Sequence, residues 1–588
     1  MEHYYTDERN AQILISLMKA HNVKKVIASP GTTNICFVAS LQQDPYFEVY
    51  SSPEERSAGY MACGLAAESG EAVAICCTGA TASRNYMPAL TEAFYRKLPI
   101  LAITASRRNY RIGHNFDQVT DRTLLPRDIA KLSVQMPLVY DDESEWANMI
   151  AANKALLELN HHGSGPVHIN LETNYSRNYN IKKLPETKAI YRFQKGDRIP
   201  QINAEKIAIR VGAHVRWDDT LIKAVDSFCE AYNAVVLCDH ISNYTGKYRF
   251  FATMVCKQKE YNYVAKSVDL IIHIGDIFSD AFYISPQNVW RVNPDGELRD
   301  TFYKLQYVFE FTEEDFFNSY LEMSTERRGI GFFENCMRDA TKIESRLPSF
   351  LHQLPFSNAW AASQTAHRLP ENSVLHLGIQ NSLRFWNYFD TPSSVLGYSN
   401  TGGFGIDGSM SSTIGASLFD RSKIYFCVLG DLAFFYDLNS LGNRHVGNNI
   451  RIMLINNGKG AEFKLSGNPG AMFGDETDTY IAAAGHYGNK STMLVKHYAE
   501  DLDFEYLSAS NKEEFMQVID RFITPEISKK PMIFEVFTES SCEDEAFNSL
   551  SYIIKDEQIS AKRKAKNVMK KVLGESNTNA IKEMLKGH

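Results

Sequence analysis

The chain is 588 residues long, with 62 lysines and arginines against 70 aspartates and glutamates and a net charge of −8. Hydrophobic residues at 44% and charged residues at 22% are the composition of a globular protein and exclude a disordered chain or a fibre. The slight acidity removes the global basic field of a nucleic-acid binder, and nothing in it calls for a membrane surface as partner.

Ten cysteines without a CxxC pair or zinc-type spacing point to a reduced compartment. The N-terminus is polar and lacks the apolar core of a signal peptide. No stretch approaches the roughly 20 apolar residues of a membrane span. The expectation is a cytoplasmic enzyme of several domains.

In chain order, 7–21 has helical periodicity, with Ile13, Leu14, Leu17 and Met18 on one face. A short strand over 26–29 runs into Pro30-Gly31, a turn signal. A helix over 34–42, a strand over 47–51 and a helix over 55–68 follow. The apolar run 72–77 suits a buried parallel strand. A helix over 84–95 and a strand over 100–104 complete a doubly wound α/β pattern. Residues 183–203 lack long apolar runs and contain Lys183, Pro185, Lys188, Lys195 and Pro200, so they read as a linker. A second α/β stretch has strands over 234–238, 270–274 and 289–293. Pro348 to Pro355 suggests a further boundary. A third α/β stretch has strands over 374–377, 424–429, 450–455 and 532–537, and its order of elements is similar to that of the first. In the tail, Lys562, Arg563, Lys564, Lys566, Lys570 and Lys571 predict a basic helix. It is a solvated or packing arm, or a contact for an anionic partner.

The strongest constellation lies in the third stretch. The strand 425–429 ends at Gly430-Asp431, and a helical run over 433–443 follows. The strand 450–455 then ends at Asn456-Asn457-Gly458. In an open α/β sheet, the carboxyl ends of the strands form the ligand crevice. A carboxylate and an amide oxygen would meet there, both hard ligands suited to Mg²⁺ or Ca²⁺. A helix start just after Asp431 would offer backbone N–H groups to an anion. Together they describe a diphosphate site; a polar turn in an unrelated α/β protein is the alternative. Glu54 and Glu55, after the second strand, suit a helix start through the dipole.

This pattern resembles the thiamine diphosphate enzymes, whose signature is Gly-Asp, a spacer and Asn-Asn. The family usually has Gly after the Asp, where this chain has Leu432. The resemblance implies that Asp431, Asn457 and the carbonyl of Lys459 hold Mg²⁺, or another divalent ion such as Mn²⁺ or Ca²⁺. It implies thiamine diphosphate bound near Gly430, Leu432 and Ala433. The family also needs a carboxylate on the aminopyrimidine ring. The segment 51–65 has that form, and Glu55 is the candidate. The segment 77–93 resembles the family's strand–turn–helix around the pyrimidine, which brings in Thr81 and Asn85. Gly31 and Thr32 fall at the first strand's turn. The Gly-rich turn 402–408 reads as a cofactor-contacting loop through Gly402 and Gly403. Ile406 and Met410 either wedge the cofactor or pack the core.

Within the family, 436–439, 399–402, 405–408 and 29–31 are similar to the SEPHCHC-synthase branch. That branch decarboxylates 2-oxoglutarate and adds the carbanion to isochorismate. Arg107 and Gln118 fall where it places substrate contacts. His114 could move protons, or be a structural or exposed histidine. Three arginines of the branch are replaced, at Thr33, at Thr401 and near Phe419. Arginines hold carboxylates bidentately, so their loss implies a changed substrate.

The resemblance implies three consecutive doubly wound parallel-sheet domains. They are a pyrimidine domain at 1–186, a central domain at 200–345 and a diphosphate domain at 355–540, followed by a helical tail at 541–588. It implies a homodimer or homotetramer that pairs Glu55 with metal ligands of another copy. The expected activity is decarboxylation of a 2-oxo acid with transfer of the acyl anion to an acceptor. A simple 2-oxo-acid decarboxylase and a non-catalytic thiamine-fold binding protein are the alternatives.

Overall fold

The computed structural model describes residues 4–215, 217–324, 327–487 and 490–556. The basic run 562–571 lies outside them. The chain divides into two compact units, Met1–Ile199 with Asp295–Glu310, and Pro200–Pro294 with Phe311–His588.

In the first unit, β1 (Lys25–Ala28), β2 (Glu48–Ser51), β3 (Val73–Thr78), β4 (Ile100–Ser106), β5 (Ser133–Met136) and β6 (Val167–Glu172) form a parallel sheet in the order β2-β1-β3-β4-β6-β5. β3 and β4 are mostly apolar, and β4 is buried along its whole length, because helices cover both faces. Alternate residues serve opposite layers. Ala74 and Cys76 join Leu14, Phe37 and Leu156 on one face. Val73, Ile75 and Cys77 meet Ala58, Ala62 and Ala89 on the other. Each fully buried Val, Ile or Leu contributes about 1.5–3 kcal/mol. The small residues Ala58, Gly59 and Ala62 let the helix Glu55–Ser69 approach Met87–Arg96 closely, and a Cβ on Gly59 would lie 2.6 Å from that of Ala89.

β7 (Tyr191–Gln194) follows, inside the segment expected to be a linker. Its short alternating pattern is held by aromatic packing, with Phe193 stacked on Phe309 at 5.3 Å. In the second unit, β8 (Ile207–Val211), β9 (Ala234–Cys238), β10 (Arg249–Phe251), β11 (Ser267–Ile274) and β12 (Ser285–Val292) are parallel in the order β10-β9-β8-β11-β12. β13 (Leu305–Glu310), in the first unit, pairs in parallel with β7. The segment 348–355 is mostly the helix Leu347–Gln353, whose proline sits in the first turn where a missing N–H costs nothing.

β14 (Val374–Leu377), β15 (Leu396–Tyr398), β16 (Tyr425–Gly430), β17 (Ile450–Asn456), β18 (Glu505–Ala509) and β19 (Met532–Phe537) form a third set, in the order β15-β14-β16-β17-β19-β18. Strand for strand, this order repeats that of β1–β6. The fold is therefore α/β with three parallel sheets. Each six-stranded sheet reverses its winding between its first and third strands, and such switch points open a ligand crevice at the strands' carboxyl ends. Among the described residues, no helix is long and apolar enough to cross a membrane.

Candidate active site

At the switch point of the third sheet, β14 and β16 end beside a cavity of about 300 Å³. Of the residues expected to bind cofactor or metal, Ile406, Gly430, Asp431, Leu432, Ala433, Asn457 and Lys459 line it. Asp431 is buried and accepts a hydrogen bond from the Leu432 N–H at 2.8 Å. Burial pushes its carboxyl up to about 7, against the opposing pull of backbone N–H groups from Leu432, Gly458 and Lys459. The helix that begins at Asp431 runs only six residues and turns into a 3₁₀ segment, Leu438–Gly442, so the expected helix over 433–443 is broken. One N–H at that helix start, that of Leu432, is already spent on Asp431.

The paired asparagines have separate tasks. Asn456 donates to Glu535 Oε1 at 2.6 Å, and Tyr506 donates to the other oxygen of Glu535 at 2.7 Å. That network pins the end of β17. Asn457 is left with its Oδ1 buried and without a hydrogen-bond partner. Leaving such an atom unsatisfied costs about 1–3 kcal/mol. The Lys459 amine is paired with Asp478 Oδ2 at 2.5 Å, and its carbonyl accepts from the Ala461 N–H at 2.9 Å. A carbonyl keeps a second lone pair. A buried carboxylate, an orphaned amide oxygen and a carbonyl are a hard-oxygen donor set, and they fit Mg²⁺, Mn²⁺ or Ca²⁺.

Several lining residues were not singled out from sequence. Gln380, after β14, has φ 66°, and Phe404 has φ 53°. Non-glycine residues in that region are uncommon and collect at functional sites. Gly402 and Gly403 are exposed in a turn, and it is Phe404 and Ile406 that reach the cavity. Met410 is fully buried in the core, with Ile406 packed against it, so packing accounts for Met410.

Glu543 also lines this cavity. It is buried, accepts from the Asn358 N–H at 2.9 Å and from Thr538 Oγ1 at 2.7 Å, and so satisfies the first N–H of the helix Asn358–Thr365, whose N-cap is Ser357. Burial pushes its carboxyl up from 4.5 to about 7. The folded state therefore holds this proton while the unfolded chain releases it. The stability it contributes is complete below pH 4.5 and is lost as pH rises through about 7, by roughly 3 kcal/mol at 1.36 kcal/mol per pKa unit. Glu543→Gln is expected to flatten that loss and to unfold later than wild type at pH 8 in urea. Equal midpoints for the two proteins across pH 5–8 would refute this.

In the first unit, a cavity of about 910 Å³ lies along β1, β2 and the helix Ile35–Gln42, lined by Ser29, Pro30, Gly31, Thr32, Asn34 and Ser51 among others. Gly31 is required there, since a Cβ would lie 1.8 Å from Thr78 Cγ2. The two glutamates after β2 are also divided. Glu54 is the N-cap of Glu55–Ser69 and accepts from the N–H groups of Arg56 and Ser57. Glu55 is not consumed by capping, and Asn85 Nδ2 donates to its Oε2 at 3.3 Å. Thr81 opens the helix Thr81–Asn85 after Ala80, whose φ of 57° is strained for a residue with a Cβ. Thus Glu55 and Asn85 are brought together, while Gly31 and Thr32 line the cavity beside β1 and β2.

Arg107, at the end of β4, is fully engaged. Its Nη1 and Nη2 meet Asp117 at 2.6 and 3.1 Å, and its Nε donates to Tyr175 OH at 2.7 Å. His114 and Gln118 lie on the same exposed loop, with Gln118 at φ 56°. Arg122 is buried beneath Gly79, donates to Thr120 O at 2.6 Å and Asn170 Oδ1 at 3.2 Å, and leaves Nη2 without a partner. Thr33 Oγ1 donates to Ala105 O at 2.6 Å and Thr401 is buried, while Phe419 is exposed.

Two sheets of one strand order, one followed by a glutamate that is not used as the helix cap and one ending in a crevice of hard-oxygen donors, define the thiamine diphosphate enzyme class. Residues 9–125 match the family model described as "Thiamine pyrophosphate enzyme, N-terminal TPP binding domain". A 2-succinyl-5-enolpyruvyl-6-hydroxy-3-cyclohexene-1-carboxylate synthase of Bacteroides fragilis is 31% identical over 567 residues, covering 91% of this chain and 97% of the relative. The synthases of Bacteroides thetaiotaomicron (31%, 91% and 97%) and Phocaeicola vulgatus (30%, 91% and 96%) carry the same name. This chain belongs to that family of thiamine diphosphate enzymes, the SEPHCHC synthase family.

Proposed function

We propose that this enzyme decarboxylates a 2-oxo acid and passes the acyl unit to an acceptor, as a carboligase of the SEPHCHC-synthase type. The observation that carries the reading is the buried Asp431 carboxylate beside the orphaned oxygen of Asn457. With the carbonyl of Lys459, these residues would hold the divalent metal. Gly430, Leu432, Ala433 and Ile406 would bound thiamine diphosphate, which supplies the electron sink for loss of CO₂ when bound. Glu55 would hold and return a proton at the cofactor's ring nitrogen, oriented by Asn85. Tyr60 and Met61 are exposed on the helix that Glu55 begins, which supports packing against another copy in a homodimer or homotetramer.

The acceptor is proposed to carry fewer carboxylates than the synthase relatives accommodate. The hydroxyl of Thr33 is spent on backbone, Thr401 is buried, and the guanidinium of Arg107 is neutralised by Asp117. Arg107 would take a substrate carboxylate by exchanging it for Asp117, with Gln118 and His114 on the same loop as polar contacts to the acceptor. The Arg107–Asp117 pair also gives the simple decarboxylase reading its support, since an engaged arginine recruits no second substrate.

A panel of 2-oxo acids, incubated with thiamine diphosphate and Mg²⁺ with and without acceptor carbonyls and activated alkenes, separates the readings. CO₂ release accompanied by acceptor adducts in mass spectra is the expected result. Free aldehyde formed at full rate without any acceptor would replace carboligation with simple decarboxylation.

A further inference from the structure

We propose that His161, His162 and Glu310 form a second metal site, in the first unit, for a divalent transition-metal cation of the zinc type. The two histidines lie in the turn that follows the helix Asp142–Glu158, and Glu310 is the last residue of β13. The imidazoles are stacked, with centroids 3.8 Å apart and planes inclined by 28°. Both point Nε2 at one carboxylate: His161 lies 2.9 Å from Glu310 Oε2, and His162 lies 2.5 Å from Glu310 Oε1. The three ligand atoms all lie within 4.8 Å of one another.

The proton inventory leaves a place for a cation. A neutral imidazole has a single N–H. His161 also faces Glu158 Oε2 through Nδ1 at 3.0 Å. If its N–H is spent there, the Nε2 lone pair confronts a carboxylate oxygen, an arrangement that is repulsive unless a cation lies between them. Protonating His161 alone, with His162 neutral, would also satisfy these contacts; one metal ion replaces those protons and takes all three ligands. Glu158 then acts as the outer carboxylate that orients a metal-bound histidine. Its own charge is balanced by Lys131 at 3.4 Å and Arg192 at 3.6 Å, so Glu310 meets the ion's charge. Gln194 Nε2 donates to Glu310 Oε2 at 3.0 Å from the paired strand, fixing the carboxylate.

Backbone geometry supplies an independent sign. His162 has φ 45°, a left-handed conformation that glycine and asparagine favour. Histidine enters that region more readily than most residues, and the strain that remains is one a ligand bond would offset. Two imidazoles and one carboxylate select zinc-like ions and not Mg²⁺ or Ca²⁺, which take oxygen ligands. His162 is 64% exposed, so a fourth position would be open to water. The ion would tie the turn at 160–163 to the end of β13.

The test is chelator-stripped, full-length protein in millimolar Mg²⁺, which occupies the hard-oxygen site, titrated with Zn²⁺ by calorimetry and checked by metal analysis after dialysis. One Zn²⁺ per chain is expected, with affinity reduced about 10–100-fold or more in both His162→Ala and Glu310→Gln. Co²⁺ substitution should give tetrahedral visible absorption that H162A loses. Nine of the ten cysteines are buried, which limits competition from thiols. Failure of Zn²⁺ to bind stoichiometrically, or binding of equal strength in both variants, would overturn the site.

Discussion

Asp431→Asn is expected to lose at least about 100-fold in apparent affinity for thiamine diphosphate with Mg²⁺, while the metal-free protein becomes harder to unfold at pH 8. The first effect follows from removing a charged ligand, since even outer-shell partners of a metal are worth 10–100-fold. A factor of 100 corresponds to about 2.7 kcal/mol. The second effect follows from burial. Asp431 has no basic side chain paired with it among the described ion pairs, and an uncompensated buried carboxylate is costly. An asparagine of the same shape keeps an oxygen for the Leu432 N–H and removes the charge. Thermal unfolding with and without cofactor and Mg²⁺ reads both effects at once. Wild type should gain stability on their addition, and the variant should start higher and gain little. A variant that begins no higher and responds as wild type does would remove Asp431 from the metal site.

Glu55→Gln is expected to lower turnover of a 2-oxo acid by about 10²–10⁴-fold, the range for loss of a positioned proton-transfer group. Cofactor affinity should stay within a few-fold, and stability should move by no more than about 0.5 kcal/mol. The neighbouring residue supplies the contrast. Glu54 caps the helix, so Glu54→Ala should cost about 1 kcal/mol of stability and leave turnover nearly intact. Steady-state rates and urea unfolding of the two variants give the comparison. If the Glu54 variant is the inactive one, or if Glu55→Gln keeps more than half the rate, the proton-transfer assignment fails.

Much of the fold was legible because parallel strands buried on both faces are written as largely apolar runs, even where single polar residues such as Arg451 and Glu535 interrupt them. Strands 73–78, 100–106, 425–430, 450–456 and 532–537 stand out that way. Short strands were read unevenly: β1, β2 and β14 were expected, and β7 was not. β7 is four residues of aromatic alternation between lysine- and proline-containing segments, and its partner β13 is more than a hundred residues away, so locally it resembles a linker. The helix Leu347–Gln353 was obscured by its proline, which breaks helices everywhere except in the first turn.

The chemistry divides along the same line. Asp431 and Asn457 could be singled out from the chain because each follows directly on a strand, and the end of a parallel strand is where a doubly wound sheet opens its crevice; Glu55 was singled out only through the resemblance of 51–65 to the thiamine diphosphate enzymes. Local order thus set which residues reach the switch points, and composition set the broad class. It did not reveal that Glu54 takes the capping role and frees Glu55, that Asn456 is spent on Glu535, or that Asp117 engages Arg107. Nor could it join His161 and His162 to a carboxylate 148 residues further on. Those outcomes depend on which side chains the packed layers bring within hydrogen-bonding distance. Helix and strand periodicity record the face a residue occupies, and the partner waiting on that face is chosen only when the layers close.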